Sequence, residues 1–147
     1  MNAKQQYQDI IKNLCASSKY VVEELQEVQG KLYSGFARGA VYGGVCLGQK
    51  GKTFRPSTQL LEELKESAQY KTWLNKKGEF LFTCGRDAWK ENIIRTMTPN
   101  GKITLLLNQY DEPLGIGMFK DGKVERLYDI GDYLRRERRK KKPKTKY

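Results

Sequence analysis

From residue 41 to residue 134 the chain is a succession of short apolar runs, each closed by Gly, Pro, Asn or Asp. Runs this short are too brief for helices of ordinary length, so the pattern confines most of this stretch to β-strands joined by tight turns. Residues 41–47 read as a buried strand. Residues 70–74 read as a second strand, Asn75-Lys76-Lys77-Gly78 as a hairpin turn, and 79–83 as the returning strand. Further strands are predicted at 93–97, 103–107, 114–119 and 124–127. The turns between them carry Pro99-Asn100-Gly101, Asp111-Glu112-Pro113 and Lys120-Asp121-Gly122-Lys123. The unbroken run Ile103-Thr-Leu-Leu-Leu107 marks a strand covered on both faces. One helix interrupts the series. Ser57 or Thr58 caps it, and Leu60, Leu61, Leu64 and Ala68 fall on one face. A short helical piece is read at 88–90 and a last helical turn at 129–134. Six or seven strands with a helix after the first predict an α+β, barrel-like domain.

The first forty residues differ. Tyr7, Ile10, Ile11 and Leu14 recur at helical spacing, and Val21, Val22, Leu25 and Val28 suggest a second helix capped by Ser18 and stopped at Gly30. The first residues of that second piece are β-branched, which leaves a strand open there. These stripes are read as core-facing. Between residues 35 and 52 six glycines interleave with apolar residues, and the boundary between a small, mostly helical segment (1–40) and the main domain (41–134) is placed there. The loop Gly48-Gln-Lys-Gly-Lys-Thr-Phe-Arg55 is not a nucleotide-phosphate loop, because only two residues separate Gly48 from Gly51. It still offers Lys50, Lys52 and Arg55 on a backbone that glycine allows to approach a phosphate closely.

Charge is distributed unevenly. The chain carries 28 basic and 17 acidic residues, a net charge of +11. Nine of the basic residues lie in the last thirteen positions, against the single acid Glu137. This block (135–147) repels itself and stays solvated unless a polyanion neutralises it. Phosphates neutralised in this way release counterions, so the block is a handle for RNA or DNA. In the body, Arg86, Trp89, Lys90 and Arg95 join the loop cations as candidate contacts. Trp89 is favoured over Trp73 as an exposed stacking surface, since Trp73 alternates on a strand.

Several functions are disfavoured. There is no histidine, which removes the commonest general base and metal ligand. Cys15, Cys46 and Cys84 form no C-x-x-C pair, so no metal site is expected, and they are read as reduced, mostly buried thiols. Asp87, Asp111, Glu112 and Asp129 sit at predicted turns, where acids serve local hydrogen bonds. No catalytic residue and no cofactor are expected. No apolar run reaches the roughly 18 residues of a membrane span, and the N-terminus lacks a signal-peptide core.

Several segments follow in an informative order: Val45-Cys-Leu-Gly-Gln-Lys-Gly-Lys-Thr-Phe-Arg55, Tyr70-Lys-Thr-Trp-Leu74, Gly78-Glu-Phe-Leu-Phe-Thr-Cys-Gly85, Asp87-Ala-Trp-Lys90, Pro113-Leu-Gly-Ile-Gly117 and Asp129-Ile-Gly-Asp-Tyr-Leu-Arg135. Over about residues 41–136 this resembles the PUA domain of the Nip-seven family of large-subunit ribosome-biogenesis factors. The resemblance implies a PUA-like β pseudo-barrel, RNA binding and a part in pre-ribosomal RNA processing. It also implies RNA contacts at the positions closing the domain: Arg135 and Arg136, with Arg138, Arg139 and Lys140 after them. The N-terminal segment is shorter than the family's α/β domain, which suggests an archaeal or reduced lineage.

The expectation is therefore a non-catalytic RNA-binding factor in large-subunit assembly. Its partners would be precursor rRNA and possible assembly proteins, with no membrane and a monomeric state. It would be soluble and intracellular, cytoplasmic in an archaeon and nucleolar or nuclear in a eukaryote. The alternative is an RNA-targeting accessory subunit of an rRNA- or tRNA-modifying enzyme. A stand-alone enzyme and a pure protein adaptor are further alternatives.

Overall fold

The computed structural model describes residues 2–15, 25–34, 37–38, 41–42, 45–132 and 135. Helix α1 (Ala3–Leu14) opens with a capping box. Asn2 accepts from the Gln5 backbone, and the Gln5 side chain accepts from the Asn2 backbone. Its stripe of Tyr7, Ile11 and Leu14 is buried, as the periodicity required.

The second N-terminal helix is not found in the residues described. Strands β1 (Leu25–Val28) and β2 (Lys31–Ser34) form a hairpin. The turn residues Gln29 and Gly30 have φ of 51° and 80°. Both central positions at positive φ make the tight turn whose twist matches paired strands, so Gly30 is a hairpin residue and not a helix stop. The chain continues through β3 (Ala37–Arg38), β4 (Val41–Tyr42), β5 (Val45–Gln49) and β6 (Arg55–Pro56). One sheet has the order β1-β2-β5-β6. The glycine-rich composition break thus lies inside this sheet, where Tyr33 pairs with Cys46.

Helix α2 (Thr58–Ser67) is capped by Ser57, whose hydroxyl accepts from the Leu60 backbone at 3.1 Å. Strand β7 (Lys71–Leu74) follows, and then the largest departure from expectation. Residues Lys76–Thr83 form helix α3, not the return strand of a hairpin. Asn75 is its N-cap, accepting from the Gly78 backbone at 2.7 Å. Gly78 is there for clearance: a Cβ would lie 2.8 Å from that of Asn92. The helix buries Phe82 completely. A short 3-10 turn (Lys90–Asn92) leads into β8 (Ile93–Thr96), β9 (Lys102–Leu107), β10 (Pro113–Lys120) and β11 (Lys123–Asp129).

The main sheet has the order β11-β10-β9-β7-β8, with β7 and β9 parallel and the other pairs antiparallel. It is covered on both faces. Leu105 and Leu107 join the cluster built on α1 and α2 with Phe54 and Tyr128. Leu106, between them, joins the opposite cluster with Phe82, Leu114 and Val124. Alternation along β9 therefore explains its unbroken apolar run. Helix α1 packs in the same cluster as β9, so its buried stripe is part of this core. No helix among the described residues is long and apolar enough to cross a membrane.

Only one of the three thiols is fully interior: Cys15 is buried, Cys46 is half-buried and Cys84 is exposed. Burial pushes the Cys15 thiol up to about 11. A raised thiol pKa means the fold favours the neutral form. That contribution is intact below about pH 9 and is lost as pH climbs toward 11. In native protein at pH 8, Cys84 is expected to alkylate readily and Cys15 to resist until denaturant is added. Peptide mass spectrometry after timed alkylation checks this, and equal native rates for the two would contradict it.

Candidate nucleic-acid interface

Strand β11 is the backbone of the site. One edge pairs with β10, and on the other Ala88 and Val124 exchange backbone hydrogen bonds of 2.9 and 2.8 Å. The loop carrying Arg86, Trp89 and Lys90 is therefore pinned against the start of β11. Asp87 fixes it further, accepting from the Arg126 backbone at 2.9 Å. Trp89 is 51% exposed, and the Lys123 ammonium lies 4.6 Å from its ring centroid. Arg86 and Lys90 are exposed beside it.

At its other end β11 meets the loop carrying Lys50, Lys52 and Arg55. The Thr53 hydroxyl donates to the Leu127 carbonyl at 2.9 Å. The Gln6 side chain ties this loop to α1 by donating to the Gly51 carbonyl at 2.8 Å. Gly51 is required: a Cβ would sit 2.7 Å from Arg55 Nε and 2.8 Å from the Thr53 carbonyl. The register of β11 shifts opposite Ile116 and Gly117, so Leu127 is an extra residue. A bulge breaks strict alternation, and Arg126, Leu127 and Tyr128 all line one cavity of about 370 Å³ together with Lys52 and Arg55.

The two loops that looked unrelated in sequence are thus joined by one strand. From Lys123 to Tyr128 is about 16 Å at ordinary strand rise. Sequence reasoning missed Lys123, Arg126 and Tyr128. Their only signal was the mixed pattern Lys123-Val-Glu-Arg-Leu-Tyr128, which is ordinary for a half-buried strand. Arg95 does not belong to the set. It lies on β8, four strand spacings from β11, or about 19 Å across the sheet. Its guanidinium stacks 3.9 Å from the ring centroid of Trp73, whose indole donates to Asp111 at 2.6 Å.

Arg135 has a structural engagement. Its guanidinium donates to the Thr83 carbonyl at 2.6 Å and to the two oxygens of Asp129 at 3.2 and 2.9 Å. Asp129 is fully buried and also accepts from Arg126. Asp132 lies 3.6 Å from Arg126 and 3.9 Å from Arg135. The hydrogen bond to Asp129 is the main reason the Arg135 guanidinium is held protonated above its usual range. Burial, then the negative charges of Asp132 and Asp129, raise the Tyr128 phenol, which stays neutral. Arg136, Arg138, Arg139 and Lys140 lie outside the described residues. Arg135 fixes the point on the body from which they follow.

Residues 70–138 match the UPF0113 PUA domain family. A UPF0113 protein of Archaeoglobus fulgidus is 31% identical over 110 residues, which is 66% of this chain and 63% of that protein. The 60S ribosome subunit biogenesis protein nip7 of Schizosaccharomyces pombe is 31% identical over 110 residues, 64% of this chain and 61% of that one. The match thus spans less than two thirds of either relative's length. A conserved PUA domain protein from Thermoplasma acidophilum superposes with a TM-score of 0.60 at 15% identity, covering 92% of this chain and 93% of the other. A PUA domain from Aeropyrum pernix K1, determined as a tartrate complex, gives 0.59 at 11% identity over 89% and 83%. The α+β fold with a barrel-like PUA domain is the same.

Proposed function

We propose that this chain, a homologue of the UPF0113 PUA-domain proteins, is a non-catalytic RNA-binding factor acting in biogenesis of the large ribosomal subunit. The observation that carries the reading is the pair of basic loops that β11 brings onto one side of the domain. The strand joins the exposed Arg86, Trp89 and Lys90 at one end to Lys52 and Arg55 at the other; its own Lys123 pairs with Asp87 and its Arg126 with Asp129 and Asp132, and the chain then runs on to the basic block that begins at Arg135. Cations on two such loops, with an exposed indole among them, suit a phosphate backbone with an accessible base. The role in large-subunit assembly rests on the relative whose name states it. In that role the protein works inside the cell, in the nucleolus or nucleus where the cell has one.

We infer a division of labour between the terminal basic block and the folded body. Arg136, Arg138, Arg139 and Lys140 add affinity through phosphates, while any choice among RNAs belongs to the folded body. The test is filter binding of the full chain to a uridine-rich single strand over a series of salt concentrations. Changing Arg136, Arg138, Arg139 and Lys140 together to Ala is expected to flatten the log–log salt slope by up to about 3, at about 0.7 per lost phosphate contact. Affinity independent of salt would remove the reading, and an unchanged slope in the variant would remove the part given to these four residues. Recovery of pre-ribosomal particles with the tagged protein supports the assembly role. Recovery of a methyltransferase or pseudouridine synthase instead would assign it to RNA modification.

A further inference from the structure

The cavity beneath Arg126 has a neighbour. A second cavity of about 290 Å³ shares Arg55, Tyr128 and Asp132 with the first, and its wall continues through Lys31, Cys46 and Pro56. The two adjoin at Arg55, Tyr128 and Asp132, and the groove they make differs in character from one side to the other. On one side Lys52 and Thr53 face Arg126. On the other, Cys46, Gly48 and Pro56 make a largely apolar lining.

Arg55 itself has unspent donor capacity. One terminal nitrogen donates to the Lys50 carbonyl at 3.1 Å, but its Nε–H is buried with no acceptor. Among the described residues neither Arg55 nor Lys52 nor Lys31 has an acidic partner within ion-pair distance. Arg126, by contrast, is held by Asp129 and Asp132. The Nε–H is covered by Gly51 and is not reached from either cavity; what Arg55 and Lys52 bring to the groove is positive charge with no carboxylate in ion-pair distance among the described residues, and that favours an anion there.

We propose that this groove takes one unpaired RNA nucleotide, with its phosphate between Lys52 and Arg55 and its base in the compartment lined by Cys46, Pro56 and Tyr128. The inference rests on the RNA-binding reading and names the part of the strand that the folded body holds. A duplex presents phosphates while its bases stay stacked inside, and would leave the apolar compartment empty. A single strand presents both parts of one nucleotide together. Each compartment is close to the size of a small-ligand pocket. The neutral Tyr128 phenol at the shared wall can donate to a base edge without adding charge.

The experiment is photocrosslinking of the full chain to a short thiouridine-substituted oligouridylate, with the attachment sites mapped by peptide mass spectrometry. Crosslinks are expected within 46–56 and 126–132, and the oligonucleotide should slow alkylation of Cys46 while leaving that of Cys84 unchanged. Arg55→Gln is expected to weaken binding about tenfold or more, as loss of a charged hydrogen bond does. Lys52→Ala, on an exposed loop and so safe for folding, should weaken binding in the same sense. Crosslinks confined to 136–147, with full affinity in both variants, would overturn the groove while leaving RNA binding standing. No binding of any RNA would remove both readings.

Discussion

Asp129→Leu is expected to destabilise the fold by about 3 kcal/mol, the lower end of the 3–5 kcal/mol typical when one partner of a buried ion pair is removed. The carboxylate is fully buried and serves two guanidinium groups, those of Arg126 and Arg135. Without it the two cations share one site with only Asp132 between them, at 3.6 and 3.9 Å. The arginine side chains are 23% and 28% exposed, so water relieves part of the penalty, which places the expected value at the lower end of the range. Asp129→Asn keeps the shape and one acceptor and should fall between wild type and Leu. Arg135→Gln should do less harm than Asp129→Leu, because Asp129 then keeps Arg126 as its partner. The checking measurement is the urea midpoint at constant slope, followed by circular dichroism. If Asp129→Leu stays within about 0.5 kcal/mol of wild type, the range of an ordinary surface change, the ion-pair cluster is not what closes β11 onto α3.

That cluster shows how far the sequence could be read. Asp129-Ile-Gly-Asp-Tyr-Leu-Arg135 stood out as a motif, but its Arg135 was grouped with the basic residues after it as an RNA contact. Nothing in a run of arginines distinguishes the one that docks. The distinction needs Asp129 buried and the Thr83 carbonyl 2.6 Å away, and Thr83 is 52 residues earlier in the chain. Gly131 belongs to the same device, since a Cβ there would lie 2.0 Å from that carbonyl. Strands β9, β10 and β11 were legible because their apolar runs are bounded by strong turn residues, and α1 and α2 because their stripes are clean. Residues 75–83 were not, because Asn75 and Gly78 suit a hairpin turn as well as a helix cap with a clearance glycine. Only the burial of Phe82 against Leu74 and Leu106 decides between them. Residues 25–34 failed for the converse reason: Leu25 and Val28 happen to fall at helical spacing, yet Val28 is 46% exposed on a strand. In the site, each basic residue was ordinary by itself, and what assembles Lys52, Arg55, Arg126 and Lys123 is the pairing along β11.

The other large effect is expected at Gly115, in the segment Pro113-Leu-Gly-Ile-Gly117. Gly115→Ala should destabilise the protein by about 4 kcal/mol, combining two penalties of roughly 1–3 kcal/mol each. The first is conformational: φ is +152°, in a region that residues with a side chain rarely adopt. The second is steric: the new Cβ would lie 2.0 Å from the Tyr128 carbonyl and 2.8 Å from the Asp129 Cα. Both obstacles are backbone of the neighbouring strand, so no rotamer change relieves them, and β10 must move away from β11. Gly101→Ala is the matched control. It too has a positive φ, +84°, but its Cβ would meet nothing within 4 Å. Strain alone there should cost about 1–2 kcal/mol. The difference between the two variants, read from urea midpoints, isolates the close approach of the strands. Because Tyr128 and Asp129 are the residues displaced, folded Gly115→Ala should also lose RNA affinity, whereas Gly101→Ala should retain it. Equal stability of the two variants would mean that β10 and β11 tolerate separation at Gly115, and that their close approach does not hold Tyr128 in the groove.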